Sequence, residues 1–348
     1  MPIFLNPLVL IRLLCIVPSV LASTVHQEAL TLETPGNTSP FLFSGNSDLP
    51  PSAFIATGLS GIASLADFLD SNPDLLVTHL LLSDSNDHDL QTGLHTTPLD
   101  DETIQGHSVV LHRLMSRVSP TLEVFSYSLY HWTWVVHSER MTRDEIESTG
   151  HGLFDHDFSR LRELTLRDVD IWAGLDCGQE DLYERPCVFP SLPAVSRLHL
   201  ASEWAYRKLP SLTALRETLP ALSHIRLTAT PVPVEIQPRR AVDGSEHSSI
   251  PPNLTVLYSP GYSPDLDPDP NMLRGTPGAA CDGLLESLGA LTDQFGDQLR
   301  FIWPSEGDFR RYGTKYGIYS VGRAIGDFRA RLMGEGEGEW SVTNGQTQ

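Results

Sequence analysis

The amino-acid sequence predicts an α/β fold, an irregular solenoid in which short strands build a mostly parallel inner sheet and helices lie outside it. Three observations predict it. First, apolar residues recur at a spacing of three and then two: Val77-Thr-His-Leu80-Leu-Leu82, Leu161-Arg-Glu-Leu164-Thr-Leu166, Val195-Ser-Arg-Leu198-His-Leu200 and Leu222-Ser-His-Ile225-Arg-Leu227. Weaker copies are Leu122-Glu-Val-Phe125-Ser-Tyr127, Leu254-Thr-Val-Leu257 and Leu299-Arg-Phe-Ile302. Second, several of these runs follow an amphipathic helical pattern and a helix breaker. Third, the 348 residues are 40% hydrophobic and 20% charged, the composition of a folded chain long enough for a sizeable core.

The first apolar positions fall at 77, 122, 161, 195, 222, 254 and 299, in steps of 45, 39, 34, 27, 32 and 45 residues. Such steps are long and uneven for a leucine-rich repeat, so the array is leucine-rich-repeat-like, interrupted by insertions. A unit of this kind turns two apolar side chains of a short strand inward and leaves the residues between them on the other face. Stacked units bury a continuous core that no unit could bury alone.

The elements follow in order. Residues 1–27 are expected to form a hydrophobic N-terminal segment, apolar from Leu8 to Val17 apart from Arg12. Two readings stay open. Val20-Leu21-Ala22 offers a small-residue cleavage site for a signal peptide, whereas Leu8, Ile11, Leu14 and Cys15 recur at helical spacing, as in a buried domain helix. The segment is too short and too interrupted to span a membrane. The repeat array is expected over 28–309. It begins with an edge strand at Glu28–Leu32 and a Pro/Gly/Ser-rich loop over 34–52. A helix then carries Leu59, Ile62, Leu65, Ala66 and Leu69 on one face and stops at Asn72-Pro73. Val110, Leu111, Leu114, Met115 and Val118 predict a second helix, ended by Pro120, and Leu212, Leu215 and Leu219 a third, ended by Pro220. Leu284, Leu285, Leu288, Leu291 and Phe295 predict another, with Gly296 as its C-cap.

Polar insertions are expected at 84–106, 138–157, 174–186, 231–252 and 259–278. Over 310–333, Ile318, Val321, Ile325, Phe328 and Leu332 trace a helix expected to cap the open end of the last repeat. Residues 334–348 are expected to form a flexible tail.

Composition excludes several functions. With 44 acidic against 24 basic residues the net charge is −20, which argues against nucleic acid or an anionic membrane as a general partner. Four cysteines are too few for a disulfide framework, although Cys177 and Cys187 bracket one insertion and could pair in an oxidising compartment. No C-x-x-C, P-loop or dinucleotide fingerprint is present, so no cofactor is expected. Gly58-Leu-Ser60-Gly61 lacks the spacing of a nucleophile elbow and is read as the start of a helix.

Asp87-His88-Asp89 and Asp155-His156-Asp157 supply metal-ligand types, but inside polar insertions where solvated acidic loops account for them, and no metal site is predicted. Asp176, Glu180, Asp181 and Glu184 sit in a loop without the rigidity that paired catalytic carboxylates require. Trp132 and Trp134, near Tyr127 and Tyr130, read as core packing or as a stacking surface for a ligand. The sequons at Asn37 and Asn253 carry meaning only in a secreted chain.

The repeat itself points to a candidate site. If Leu164 and Leu166 face the core, Thr165 and Arg167 face away, with Ser126, His199, Arg226, Thr228 and Tyr258 as the corresponding positions on other strands. Arg167, His199 and Arg226 would then stack on neighbouring strands as a cationic column in an acidic protein. The expected role of Thr165, Arg167, His199, Arg226 and Tyr258 is contact with an acidic segment of a partner protein. The alternative is that the cations satisfy acidic loops of the same chain.

Phe68-Leu-Asp-Ser-Asn-Pro73, Ser119-Pro-Thr-Leu-Glu123, Phe189-Pro-Ser-Leu192 leading to Arg197-Leu-His-Leu200, Pro251-Pro-Asn-Leu254 and Gly336-Glu-Gly-Glu-Trp340 resemble divergent F-box-type leucine-rich-repeat proteins of basidiomycete fungi. The resemblance runs from about Glu28 onward. It implies a substrate receptor of a cullin-type ubiquitin ligase, with the F-box docked on the ligase adaptor and the repeats holding the substrate. Here only Leu10 to Leu32 resembles the last F-box helix running into the first strand, so the F-box is missing or a remnant, and adaptor binding is in doubt. The expected function is non-enzymatic protein recognition in cytoplasm or nucleus, with no nucleic acid or membrane partner. The alternative is a secreted fungal protein, cleaved near Ala22, with a hydrolytic or ligand-binding pocket by Trp132 or the Cys177–Cys187 insertion.

Overall fold

The computed structural model describes residues 41–42, 50–86, 99–130, 153–169, 189–201, 211–228, 236, 250–259, 291–301, 321–333 and 340. The chain divides into two compact units, Met1–Ser39 and Pro40–Gln348, and every described residue belongs to the second. The readings of residues 1–27 and of an edge strand at Glu28–Leu32 therefore fall outside the described residues. So do those at Asp87–Asp89, Trp132, Trp134, Cys177, Cys187 and most of the tail.

Among the described residues the fold is α/β, built on one sheet whose strands lie side by side in chain order: β1 (Phe41–Leu42), β2 (Ala53–Thr57), β3 (His79–Ser83), β4 (Val124–Ser128), β5 (Glu163–Arg167), β6 (Arg197–Ala201), β7 (His224–Thr228), β8 (Thr255–Ser259) and β9 (Leu299–Phe301). β1 runs antiparallel to β2, and the eight strands β2–β9 are parallel.

The recurring leucines decide the register. Phe54, Leu80, Phe125, Leu164, Leu198, Ile225, Val256 and Leu299 form one row across the parallel strands, and Ala56, Leu82, Tyr127, Leu166, Leu200, Leu227, Tyr258 and Phe301 form another. Both rows share one face because residues two apart in a strand point the same way.

Each strand is entered through the same turn. The first apolar residue of the motif, at Leu122, Leu161, Val195, Leu222 and Leu254, is buried, and its N–H donates to the carbonyl three residues back at 3.0–3.3 Å in four of them and 2.9 Å at Leu222. The next residue reaches the preceding unit: Glu123 N–H donates to Thr78 O, Arg162 to Glu123 O, Ser196 to Arg162 O, Ser223 to Ser196 O and Thr255 to Ser223 O. Five successive units are thus tied by an equivalent backbone bond, which extends the sheet ladder into the turns.

Helices α1 (Leu59–Ser71), α2 (Asp101–Val118) and α3 (Leu212–Thr218) pack on the leucine face, where Ile62, Leu65, Leu69, Leu111, Leu114, Met115, Leu212 and Leu215 join a single core with the strand leucines. At the carboxyl end of β2 the chain turns directly into α1 at Gly58, whose φ of 75° is open to glycine at little cost. The sequence reading missed β2, because Ala53-Phe-Ile-Ala-Thr57 lacks the leading apolar residue of the motif. It is a strand because both faces are covered: its first four residues are buried.

Helix α2 begins earlier than the expected loop over 84–106 allows. Asp100 caps it, accepting from Thr103 N–H at 2.8 Å, and Asp101 and Glu102 complement the dipole of the first turn. Its stripe continues through Ile104 and a buried His107, which apolar periodicity alone does not reveal. Residues 291–295 are helical and end at Gly296, whose φ of 54° fits the expected C-cap; Leu284, Leu285 and Leu288 lie outside the described residues.

The last described helix, α4 (Val321–Met333), corrects an expectation. Its buried stripe does not cover the edge strand β9. Ala324 and Phe328 form one buried cluster with Ile55 of β2, Leu81 of β3 and Ala201 of β6, on the face of the sheet opposite the leucines. Trp340, placed by the sequence in a flexible tail, is buried. No described helix is long and apolar enough to cross a membrane.

Candidate functional site

The second face of the sheet carries the residues expected to meet a partner. Its central row reads Ile55, Leu81, Ser126, Thr165, His199, Arg226, Leu257 and Arg300, and the row beyond it reads Thr57, Ser83, Ser128, Arg167, Ala201, Thr228 and Ser259. The leucine face is almost uniform, whereas this face changes chemistry at nearly every strand.

Thr165, Arg167, His199 and Arg226 therefore lie on the face the sequence assigns to them, but they are not exposed. Their relative exposures are 0%, 3%, 0% and 2%. Nor do the three cations form one column: His199 and Arg226 are neighbours in one row, and Arg167 belongs to the next. His199 Nε2 lies 2.9 Å from Thr228 Oγ1.

Tyr258 is on the other face. It registers with Leu227 and meets the Phe301 ring edge-on at 6.0 Å between centroids. The cause is one residue of chain. In the units starting at Leu122, Leu161, Val195 and Leu222 the core-facing strand positions come three and five residues later, but after Leu254 they come two and four residues later, at Val256 and Tyr258. Asn253, with φ of 64°, occupies the left-handed conformation at this shortened turn. A slip of one residue exchanges the two faces of a strand.

Helix α4 lies along the second face, antiparallel to the middle strands, and is held at both ends. At its start, Val321 packs on Tyr130, just past the carboxyl end of β4. The Arg167 guanidinium stacks on the same Tyr130 ring at 3.8 Å, pairs with the Asp168 carboxylate at 3.1 Å and donates to the Leu129 carbonyl. Tyr130 N–H donates to Asp84 Oδ1 at 2.8 Å, which ties the backbone at Tyr130 to the end of β3. Asp168 adopts φ of 50°, a left-handed conformation that aspartate tolerates better than most residues.

At the far end, Glu163 at the start of β5 is clamped by two arginines. Its Oε1 lies 3.1 Å from Arg197 Nη1 and its Oε2 3.1 Å from Arg331 Nη1 of α4. Trp340 closes this end, edge-on to His224 with 6.4 Å between centroids and 6.0 Å from the Arg197 guanidinium.

Ser126 Oγ and Ser128 Oγ are buried on β4 and meet no hydrogen-bond partner among the described residues. A buried hydroxyl left without a partner costs roughly 1–3 kcal/mol.

Other titratable groups serve the fold. His107 Nε2 is 3.1 Å from Tyr127 Oη, both buried between α2 and β4. Burial lowers the His107 pKa to about 4 and, with the Asp84 charge, raises that of Tyr127 well above its ordinary value, so both partners of this hydrogen bond are neutral. His156, in one of the aspartate-flanked triplets, packs on His112 of α2 with 4.7 Å between ring centroids, and Asp157 Oδ1 accepts from Ser159 N–H. Among the described residues no group of three or more His, Cys, Asp or Glu is arranged to hold a metal ion. Ser60 is exposed in the first turn of α1, directly after a strand the sequence reading lacked.

Sequence reasoning missed Asp84, Glu163 and Asp168, and named Tyr130 only as part of an aromatic cluster. The signal for Asp84, Tyr130 and Asp168 is position: each lies within two residues of a strand's carboxyl end. The Glu163–Arg331 pair has no signal, since the partners are 168 residues apart. No family model matches the chain, and no curated protein or solved structure is significantly similar to it.

Proposed function

We propose that this chain is a non-enzymatic protein-recognition scaffold of the leucine-rich-repeat type, and that the second face of its sheet is the recognition surface. One observation carries the reading: that face already holds a helix. Val321, Ala324 and Phe328 of α4 are buried against it, with Arg331 paired to Glu163. A face that seats one amphipathic helix has the width and chemistry to seat another. The solenoid reading draws support from the sequential parallel strands and the backbone bonds that tie successive turns. Variation of side chains on one face above a uniform leucine face is the division of labour expected of a repeat scaffold.

The form of the reading in which the chain is a degenerate substrate receptor of a cullin-type ligase rests on the resemblance of residues 10–32 to an F-box remnant. Two measurements test the proposal. A photo-cross-linking amino acid placed at His224, at the start of β7 on the second face of the purified full chain, should capture a saturable protein partner, whereas one placed at Val109, exposed on α2, should not. Recovery of a ligase adaptor that is lost on deleting residues 1–27 supports the receptor form. A partner captured from Val109 and not from His224 would refute recognition through the second face.

A further inference from the structure

Building on that recognition reading, we propose that α4 is an exchangeable occupant of the second face, and that the physiological ligand is an amphipathic helix of another protein that copies its pattern. That pattern is an apolar stripe at the spacing of Val321, Ala324, Ile325, Phe328 and Leu332, followed by an arginine or lysine placed to meet Glu163.

Four features support exchange over a permanent structural role. Only three of the thirteen residues of α4 are buried, against seven of eighteen in α2. A helix of this length is marginal in isolation, so leaving the face also releases its helicity. The polar anchor is a shared one: Glu163 keeps Arg197 when Arg331 leaves, so opening does not strand a lone buried carboxylate. Finally, Ser126 and Ser128 on the same face of β4 have buried hydroxyls that meet no hydrogen-bond partner among the described residues, so a ligand that hydrogen-bonds there would bind better than the resident helix.

The chemistry of the ligand follows from its seat. Ile55, Leu81 and Ala201 take aliphatic or aromatic side chains, Tyr130 stacked under Arg167 takes a branched aliphatic residue at the helix start, and Glu163 selects a cation near its end. The partner segment is thus a basic amphipathic helix, in contrast to the acidic segment that a free column of arginines would call for. A tethered α4 competes with it at high effective concentration, so the free chain binds weakly until α4 is displaced.

The test uses the full chain and one probe, a fluorescein-labelled synthetic peptide of residues 319–335. Phe328→Asp should unseat α4 without altering the face beneath it. The peptide is expected to bind the Phe328→Asp chain at least about 100-fold more tightly than the native chain, because the tethered competitor is gone. Adding Glu163→Gln should weaken that binding by about tenfold or more, the loss expected for a charge-assisted bond.

Equal binding to both chains, binding to neither, or loss of the cooperative thermal transition in Phe328→Asp overturns the proposal. Hydrogen exchange on the native chain supplies an independent measure. The amides of α4 should exchange through local opening, faster than those of β4–β6, and exchange only on global unfolding also overturns it. If α4 opens and is replaced by its peptide but no other protein cross-links to the face, exchange holds and the recognition reading fails. If α4 never opens locally, exchange fails while recognition elsewhere on the chain is unaffected.

Discussion

Arg167 was expected at the surface, and its burial reverses what its substitution should do. An exposed arginine contributes little, and reversing its charge would leave stability within about 0.5 kcal/mol. Buried beside Asp168 and over Tyr130, it neutralises a carboxylate that has little water. Arg167→Ala should therefore destabilise the fold by about 3–5 kcal/mol, read from urea unfolding, because it leaves an uncompensated buried charge. A loss under 1 kcal/mol would return Arg167 to the surface.

His107 makes a second residue-scale prediction. The fold holds it neutral with a pKa of about 4, so below the ordinary histidine value of about 6.5 the unfolded chain binds the extra proton. Its contribution is complete above pH of about 6.5 and is lost as the pH falls toward 4, about 3 kcal/mol across that window. His79, whose pKa burial also lowers, acts in the same direction. In His107→Gln the difference in urea stability between pH 7 and pH 4.5 should shrink by most of that amount. An unchanged difference would place the acid sensitivity elsewhere.

At the scale of the element, strand and turn form one unit whose leucines are its fixed part. Leu198 has no exposure and sits in its row between Leu164 and Ile225, so Leu198→Ala opens a cavity in the middle of the stack. The expected cost is about 2–5 kcal/mol in urea unfolding. A value near that of a surface substitution would mean that the units pack independently of the leucine rows. The same element shows how phase is read from sequence: the motif predicts which residues face inward where its spacing is intact, at 77, 122, 161, 195 and 222, and fails at 254 and 299. After Leu254 one residue fewer precedes the inward positions, so Tyr258 moves to the core face, and at 299 the inward positions are Leu299 itself and Phe301.

At the scale of the molecule, the question is why a sheet of this kind is buried on both faces. In strands β3–β8 the last four residues are all buried. Parallel sheets are commonly covered on both sides, and here α1–α3 take the leucine face while α4 takes part of the other. The cross-linking and peptide-exchange experiments belong to this scale, because both ask whether α4 is a wall of the fold or a guest on it.

Local pattern determined the leucine face of the strands from 77 to 227 and the helices that follow the apolar stripe, since a period of two or 3.6 residues is set within a dozen residues of chain. It also placed Thr165, Arg167, His199 and Arg226 opposite the leucines. Whether that opposite face meets water was decided by tertiary structure alone. The helix that covers it pairs Arg331 with Glu163 across 168 residues, and Phe328 with strands that begin at Ala53, contacts that no local period encodes. Exposure is a property of what comes to rest against a face, and a sequence states only which way each side chain points.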